Sequence, residues 1–428
     1  MKYQTPKGTR DFLPEEMNLR RSVIDTLVST YKLYGFQEWD GPAFEYLNTL
    51  VGKSGESIVN EIYAFKDKSN RDLGLRFELT TSLARIIASN PQIKKPLRLF
   101  NIGKVWRYEQ PQAGRFREFL QADADIFGSA SMLCEVELLT MAAMALKELQ
   151  VSDSVILLNN RKVLEAQLRS VNVVDDYKVG ALRSLDKLAK IGIEGVKREF
   201  ESQNIPAEQF EKLMKQIGID GDNQTKLSQI SQFLANDKIG MEGIEELRQI
   251  IRLLDEYNLD MPIQIDFSLV RGLDYYTGPI YEIRSTDRKE LGSFAGGGRY
   301  DQLIQTLGGQ ATSAVGISFG IERLIEVIKK REKYSNIISS VVVFISYTNK
   351  EMLPIVLNAA KIFREAGIAT EFDLTGRNLK RQLAYASAIN AKYSFIIFSA
   401  KEQKLKEMAT QREDVMDISL AISRITSK

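Results

Sequence analysis

Histidine is absent from this 428-residue chain, and cysteine occurs once, at Cys134. No imidazole is available as a general base, a metal ligand or the partner of a serine or cysteine nucleophile. An intrachain disulfide and a Cys/His zinc site are excluded as well. Cys134, within MLCEVELL, reads as a helix core residue. No apolar run is long enough to cross a bilayer, and the opening MKYQTPKGTRDFLPEE has no apolar signal core, so no membrane partner and a cytoplasmic location are expected. The formal net charge of +2 supplies no bulk positive field, so any nucleic-acid contact has to come from local patches. What remains for chemistry is Arg, Asp, Glu, Tyr and the backbone. With 44% hydrophobic and 27% charged residues, the chain has material for an ample core and two or three domains.

The most informative stretch is Leu99 to Gly128, LFNIGKVWRYEQPQAGRFREFLQADADIFG. It reads as two strands around a polar turn. Period-two alternation sets Val105, Arg107 and Glu109 on one face and Trp106 and Tyr108 on the other. In the second limb, Phe116, Leu120, Ala122, Ala124 and Ile126 face one way. Arg115, Arg117, Phe119, Gln121, Asp123 and Asp125 face the other. One face is core and the other is polar, graded from arginines through an aromatic to acceptors, with Gln121 to Asp125 spanning roughly 13 Å. Such a face suits a ligand with an anionic end, a flat ring and a hydrogen-bond-donating end; a solvated hairpin face is the plainer alternative.

Elsewhere, Ile24, Leu27, Val28 and Tyr31 predict an amphipathic helix over 18–34 that Gly35 can end, followed by a short strand at 36–39. VGKSGE at 51–56 contains Gly-Lys-Ser, but the phosphate-loop pattern needs a glycine where Leu47 stands, and it is rejected. In LRFELTTSLAR, Arg76, Glu78 and Thr80 share a face before a helical pattern begins, with Thr80 as a candidate cap. Helical periodicity dominates from about 160 to 255, broken at Ile205-Pro206 and Asp220–Asn223. Strand alternation returns at Ile263, Ile265 and Phe267 and leads into RGLDYYTG, Arg271 to Gly278. FAGGGRYD follows at 294–301, and SAVGISFGIERL at 313–324. The glycines allow close backbone approach to a ligand. Beyond a charged linker at 329–336 the pattern is β-α-β-α-β, a separate α/β domain. There Arg377, Lys380 and Arg381 share a helix face by spacing.

These segments together resemble the class II aminoacyl-tRNA synthetases, and RGLDYYTG with FAGGGRYD resembles the histidyl-tRNA synthetase family over the whole chain. The resemblance implies an α+β fold: an antiparallel-sheet catalytic domain with a helical insertion, plus a C-terminal α/β anticodon-binding domain. The expected boundaries are 1–160 and 258–330 for the catalytic core, 161–257 for the insertion and 337–428 for the anticodon-binding domain. The implied activity is ATP-dependent ligation of L-histidine to tRNA(His) through a histidyl-adenylate, with Mg²⁺ accompanying ATP and a homodimer as the assembly. A non-charging regulatory subunit of ATP phosphoribosyltransferase is the alternative.

Carried over by position, Arg107 and Arg271 are the catalytic arginines. Arg107, Glu109, Arg115, Phe119 and Arg323 are the ATP-binding set. Glu78, Thr80, Gln121, Asp125, Arg271, Tyr275 and Tyr276 are the histidine-binding set, and Gln112, Arg377, Lys380 and Arg381 the tRNA-binding set. No metal ligand is assigned. Gly316 and Gly320 are expected to permit close helix–sheet packing.

Overall fold

The computed structural model describes residues 3–52, 59–110, 114–272, 275–329 and 341–427. Gln112, most of VGKSGE, Leu273 and Asp274, and most of the charged linker lie outside the described residues. Two compact units are present, Met1–Asp11 with Arg20–Arg331, and Phe12–Leu19 with Glu332–Lys428. Among the described residues no helix is long and apolar enough to cross a membrane.

Helix α1 (Pro14–Leu33), which belongs to the first unit from Arg20 onward, buries Val23, Leu27 and Tyr31. Ile24 and Val28 are only half-buried, so the stripe is rotated by one residue from the sequence expectation. The helix ends at Gly35, whose φ of +76° lets the Phe36 N–H donate back to the Tyr31 carbonyl at 3.0 Å. Strand β1 (Gln37–Glu38) then joins the main sheet. A small sheet is built from β2 (Phe44–Tyr46), β3 (Ala64–Lys66) and β4 (Asp72–Leu75) in the order β2-β4-β3, with α2 (Leu47–Val51) beside it. Helix α3 (Thr80–Ser89) leads to the hairpin of β5 (Leu97–Trp106) and β6 (Glu118–Phe127). The strands stop short of the sequence expectation, and residues 107–110 and 114–117 lie outside both, although the Arg107 N–H still bonds the Arg117 carbonyl at 3.0 Å.

Helix α4 (Leu133–Glu148) and β7 (Ser154–Asn160) precede the helical stretch. It comprises α5 (Arg161–Ser170), α6 (Asp175–Asp186), α7 (Leu188–Ser202, kinked at Gly192), α8 (Ala207–Ile217), α9 (Asn223–Phe233) and α10 (Lys238–Glu256). Leu168, Phe200 and Phe210 from these helices share one hydrophobic core with Phe127, Tyr275 and Tyr300. Strand β8 is only Ile263–Ile265, because the Asp266 carboxylate accepts the Ser268 N–H at 2.9 Å and turns the chain where alternation had suggested more strand. Then come β9 (Pro279–Ser285), β10 (Ser293–Arg299), α11 (Leu303–Thr306), β11 (Ala314–Gly320) and α12 (Ile321–Lys329).

The large sheet has the order β1-β5-β6-β11-β10-β9-β7-β8 and is antiparallel from β5 to β7. Sequence neighbours β6 and β7 thus end up apart, with β11, β10 and β9 inserted between them. Two buried ion pairs lock helices to this sheet. Arg299 grips Glu135 on α4 through two 2.7 Å bonds, and Glu322 takes Arg20 at 2.6 Å together with the Leu120 N–H at 3.0 Å.

The second unit holds β12 (Val343–Tyr347), α13 (Leu353–Glu365), β13 (Thr370–Phe372), α14 (Leu379–Ala388) and β14 (Tyr393–Ile397). It continues into β15 (Gln403–Glu407), β16 (Glu413–Val415) and α15 (Ile418–Thr426), in the sheet order β13-β12-β14-β15-β16. The expectation that Arg377 shares a face of α14 with Lys380 and Arg381 does not hold. Asn378 caps that helix, and Arg377 precedes it, held by Asp373 at 3.0 Å and stacked 4.3 Å over Tyr385.

Candidate active site

Residues directly opposite in an antiparallel ladder share a face, so the register shows what surrounds the polar side of β6. Gln121 lies between Gly103 and Gly320, Asp123 between Asn101 and Ser318, and Asp125 between Leu99 and Gly316. The Asp123 row continues through Gly296 to Glu282. Small residues therefore floor a depression. A Cβ at Gly316 would stand 1.9 Å from Asp125 Oδ1, and one at Gly296 would stand 2.7 Å from Arg271 Nη1. Gly316 thus makes room for Asp125 and not, as the sequence had suggested, for helix packing. Gly320 has no atom closer than 3.8 Å to such a Cβ.

At the deep end the groups are acidic and aromatic. Tyr300 donates to Asp125 Oδ1 at 2.5 Å, Tyr275 donates to Glu78 Oε2 at 2.8 Å, and Thr81 donates to Glu78 Oε1 at 2.5 Å. Thr80 opens α3 and hydrogen-bonds the Tyr275 side chain. Gln121 donates to Ser318 Oγ at 2.7 Å. Gln121 Oε1, Asp123 Oδ1 and Asp125 Oδ2 are buried without a hydrogen-bond partner. Burial pushes the Asp123 carboxyl up to about 7 and that of Asp125 well above its ordinary range; Glu78 adds to both and Asp123 adds to Asp125. Glu78 is raised by burial too, against its two hydroxyl donors.

At the other end the groups are cationic. Arg107 Nε donates to the Phe77 carbonyl at 2.8 Å, and its guanidinium lies 5.3 Å over the Phe119 ring. Glu109 sits 4.0 Å from Arg107 and 3.5 Å from the half-exposed Arg115. Arg323 reaches from α12 to the Ser293 carbonyl at 2.7 Å, and burial followed by the Arg115 charge lowers its proton affinity. Arg271 Nη1 donates to Glu282 at 2.9 Å, and Tyr276 hydrogen-bonds the same guanidinium. Two bonds from Arg284, at 2.6 and 3.0 Å, also reach Glu282. Despite burial, the Arg271 and Arg284 charges hold Glu282 below its usual range.

Register and hydrogen bonds therefore bring Glu78, Thr80, Gln121, Asp125, Tyr275, Arg271 and Tyr276 together on one side of the sheet, with Arg107, Glu109, Arg115, Phe119 and Arg323 following along the same hairpin and α12. The second unit carries Arg377, Lys380 and Arg381. Sequence reasoning assigned no role to Asp123, Thr81, Tyr300, Glu282 or Asp186. Asp123 was legible as a member of the polar face, two residues before Asp125. Asp186, at the end of α6, is pushed up to about 6 by desolvation while Arg271 pulls it down; only the folded chain brings it near that arginine.

The profile of the family described as histidyl-tRNA synthetase matches residues 8–324. A protein of Porphyromonas gingivalis named histidine–tRNA ligase is 34% identical, covering 97% of this chain and 97% of the relative. One of Aeropyrum pernix with the same name is 37% identical over 90% of this chain and 88% of its own length. Among solved structures, the histidyl-tRNA synthetase of Nostoc sp. PCC 7120 superposes with a TM-score of 0.86 at 29% identity, covering 100% of this chain and 99% of that one. The glycine-floored sheet, its graded polar face and these matches have one explanation: the chain belongs to the histidyl-tRNA synthetase family.

Proposed function

We propose that this chain is a histidine–tRNA ligase that activates L-histidine with ATP as histidyl-adenylate and passes the histidyl group to tRNA(His). The observation that carries the reading is the gradient along β6, from guanidinium groups at one end to unpartnered buried acceptors at the other. A substrate carboxylate supplies the nucleophile, attacking the α-phosphorus and expelling pyrophosphate. The protein's task is positioning and charge neutralisation, which need no imidazole of its own. That agrees with a chain lacking histidine.

In this reading Arg107 and Arg271 flank the α-phosphate and the incoming carboxylate. Arg107 already spends one N–H on the Phe77 carbonyl, and Arg271 is held by Glu282 and Tyr276, which fixes the orientation of each five-donor fork. Phe119 and Glu109 hold the adenine, while Arg115 and Arg323 take the β- and γ-phosphates. Mg²⁺ enters with the triphosphate; among the described residues no group of three or more acidic, cysteine or histidine side chains stands ready for a metal ion. Glu78, Thr80 and Gln121 receive the amino group, and Asp125 and Tyr276 the side chain. The second unit supplies Lys380 and Arg381 to tRNA, the assembly is a homodimer, and the enzyme works in the cytoplasm. The non-charging regulatory alternative is not favoured, since relatives named as ligases match over nearly their whole length.

ATP–pyrophosphate exchange measured across the amino acids tests this reading. Exchange with histidine alone is expected. Exchange with threonine or proline instead would overturn the specificity, and none with any amino acid would favour the regulatory reading.

A further inference from the structure

The polar face holds one carboxyl more than the reading above uses. Asp123 is 2% exposed, as is Asp125, and each keeps one carboxyl oxygen with no partner, Oδ1 and Oδ2 respectively. They project from the same side of β6, with Cα atoms roughly 7 Å apart. No opposing strand crowds them. Across the ladder stand Ser318 and Gly316 on β11, and Asn101 and Leu99 on β5. Ser318 is the hydrogen-bond partner of the Asp123 carboxyl, and Tyr300 that of Asp125.

We propose that Asp123 and Asp125 form a two-carboxyl clamp that takes the histidine side chain as imidazolium, a ring donating from both nitrogens. The inference rests on the assignment of this depression as the histidine pocket. A neutral imidazole offers one donor and one acceptor, whereas its protonated form offers two donors. Two ionised carboxylates match the second; the first is matched only while one carboxyl keeps its proton, which the ring's basic nitrogen is placed to take.

The surroundings decide where the proton comes from. Glu78 from the turn before α3 and Tyr275 and Tyr300 from the β9–β10 side face the pair, while Tyr31 from α1 and Tyr281 from β9 lie on the other face of the sheet; the cations acting on Asp123 are Arg107 and Arg76. Two adjacent buried carboxylates with Glu78 nearby cannot all ionise cheaply, so the empty pocket retains a proton. On entry of neutral histidine, a carboxyl O–H breaks and the same proton forms an N–H on the ring's basic nitrogen. A carboxylate and an imidazolium result, with no proton taken from solvent for that transfer. Because a neutral isostere with one donor and no basic nitrogen would leave one buried carboxyl without a partner, the clamp also serves as a specificity device.

The test is ¹⁵N NMR of ring-labelled L-histidine bound to the full chain at pH 7.5, where the free ring is mainly neutral. Two protonated ring nitrogens are expected. One protonated and one unprotonated nitrogen in the bound ring would overturn the clamp while leaving the pocket assignment standing. No bound signal at saturating histidine would overturn that assignment, and the clamp with it. In Asp123→Asn the bound ring should return to a single protonated nitrogen, with KM for histidine raised about tenfold and KM for ATP unchanged. An Asn variant that keeps both the doubly protonated ring and the parental KM would refute the role of Asp123. Since the wild-type spectrum already decides the ring's state, a variant that fails to fold leaves the proposal falsifiable.

Discussion

The two ends of the polar face on β6 solve opposite problems. At the cationic end each arginine is tethered by the protein: Arg107 to the Phe77 carbonyl, Arg323 to the Ser293 carbonyl, Arg271 to Glu282. At the acidic end Gln121, Asp123 and Asp125 keep buried acceptors without a protein partner. An arginine stays charged whatever its surroundings and has donors to spare, so it can be oriented in advance and still bind an anion. A buried carboxyl has a cheaper escape, protonation, and can wait for a cationic ligand in that state.

The sharpest way to break this comparison is to remove a tethered arginine. Arg271→Ala or Arg107→Ala should slow adenylate formation about 10³-fold, measured by pyrophosphate exchange or single-turnover adenylate formation on variants folded as well as the parent. Parental rates would mean that orientation of these groups does not matter to the chemistry.

A carboxylate whose partner is internal should behave unlike the waiting ones. Glu135 is fully buried and bidentate to Arg299. Glu135→Gln leaves the Arg299 charge poorly compensated, at a cost of about 3 kcal/mol read from denaturant midpoints, with KM for histidine little changed in whatever folds. Loss of histidine affinity without loss of stability would erase the distinction between structural and ligand-directed acids.

The same distinction predicts a pH trend. Asp123 is raised from its ordinary value near 4 to about 7, so between those limits the folded state binds more protons than the unfolded one. The stabilising protonation is complete below about pH 4 and is lost progressively as pH climbs towards 7. Without ligand, stability should therefore fall by about 2 kcal/mol across that window, allowing for partial relaxation of the site. Glu282, lowered by Arg271 and Arg284, acts at the acid end of the range and does not mask the trend. Nor does any histidine, since the chain has none. Asp125 and Asp186, raised as well, add to the same slope, so thermal unfolding between pH 4 and 8 compared with Asp123→Asn is the check: the variant should lose the share of Asp123, and an undiminished slope would assign it elsewhere.

Much of this was readable from the chain. Alternation in QADADIF placed Asp123 with Gln121 and Asp125, and the glycines of FAGGG announced a close approach. What could not be read was the neighbour across the ladder. Only the insertion of β11 beside β6 reveals that Gly316 serves Asp125, and that Tyr300 reaches that same carboxyl. Thr81 was missed in favour of Thr80, since the hydroxyl that bonds Glu78 depends on where the helix begins. The alternation past Ile265 misled for a local reason, the Asp266 side chain turning the backbone. Strands β15 and β16, rich in Lys and Glu, carried no apolar run to flag them.

Gly316→Ala sharpens the comparison at a single atom. The added methyl would occupy the Asp125 carboxyl position, so that side chain must rotate away. KM for histidine should rise about tenfold, roughly the worth of one hydrogen bond, while KM for ATP holds. An equal rise in both would mean that the whole sheet had shifted.

The smallest effect belongs to the second unit, where the contrast between tethered and available cations recurs within five residues. Arg377 is held by the buried Asp373 and by the Tyr385 ring, whereas Lys380 and Arg381 are exposed. Exposed cations are the ones that can exchange counterions for phosphates. The double variant Lys380→Ala, Arg381→Ala should weaken tRNA(His) binding a few-fold at moderate salt and flatten the salt dependence by about 0.7 for each phosphate no longer neutralised. Arg377→Ala should instead lower the thermal stability of the second unit, because the buried Asp373 loses its ion pair and the Tyr385 ring its cation, while the backbone N–H at 377 that does most to hold the carboxyl below its usual range remains. If Arg377→Ala were to flatten the salt dependence and the double variant not, the tethered arginine would be the tRNA ligand. Availability would then be the wrong criterion for choosing among cations here.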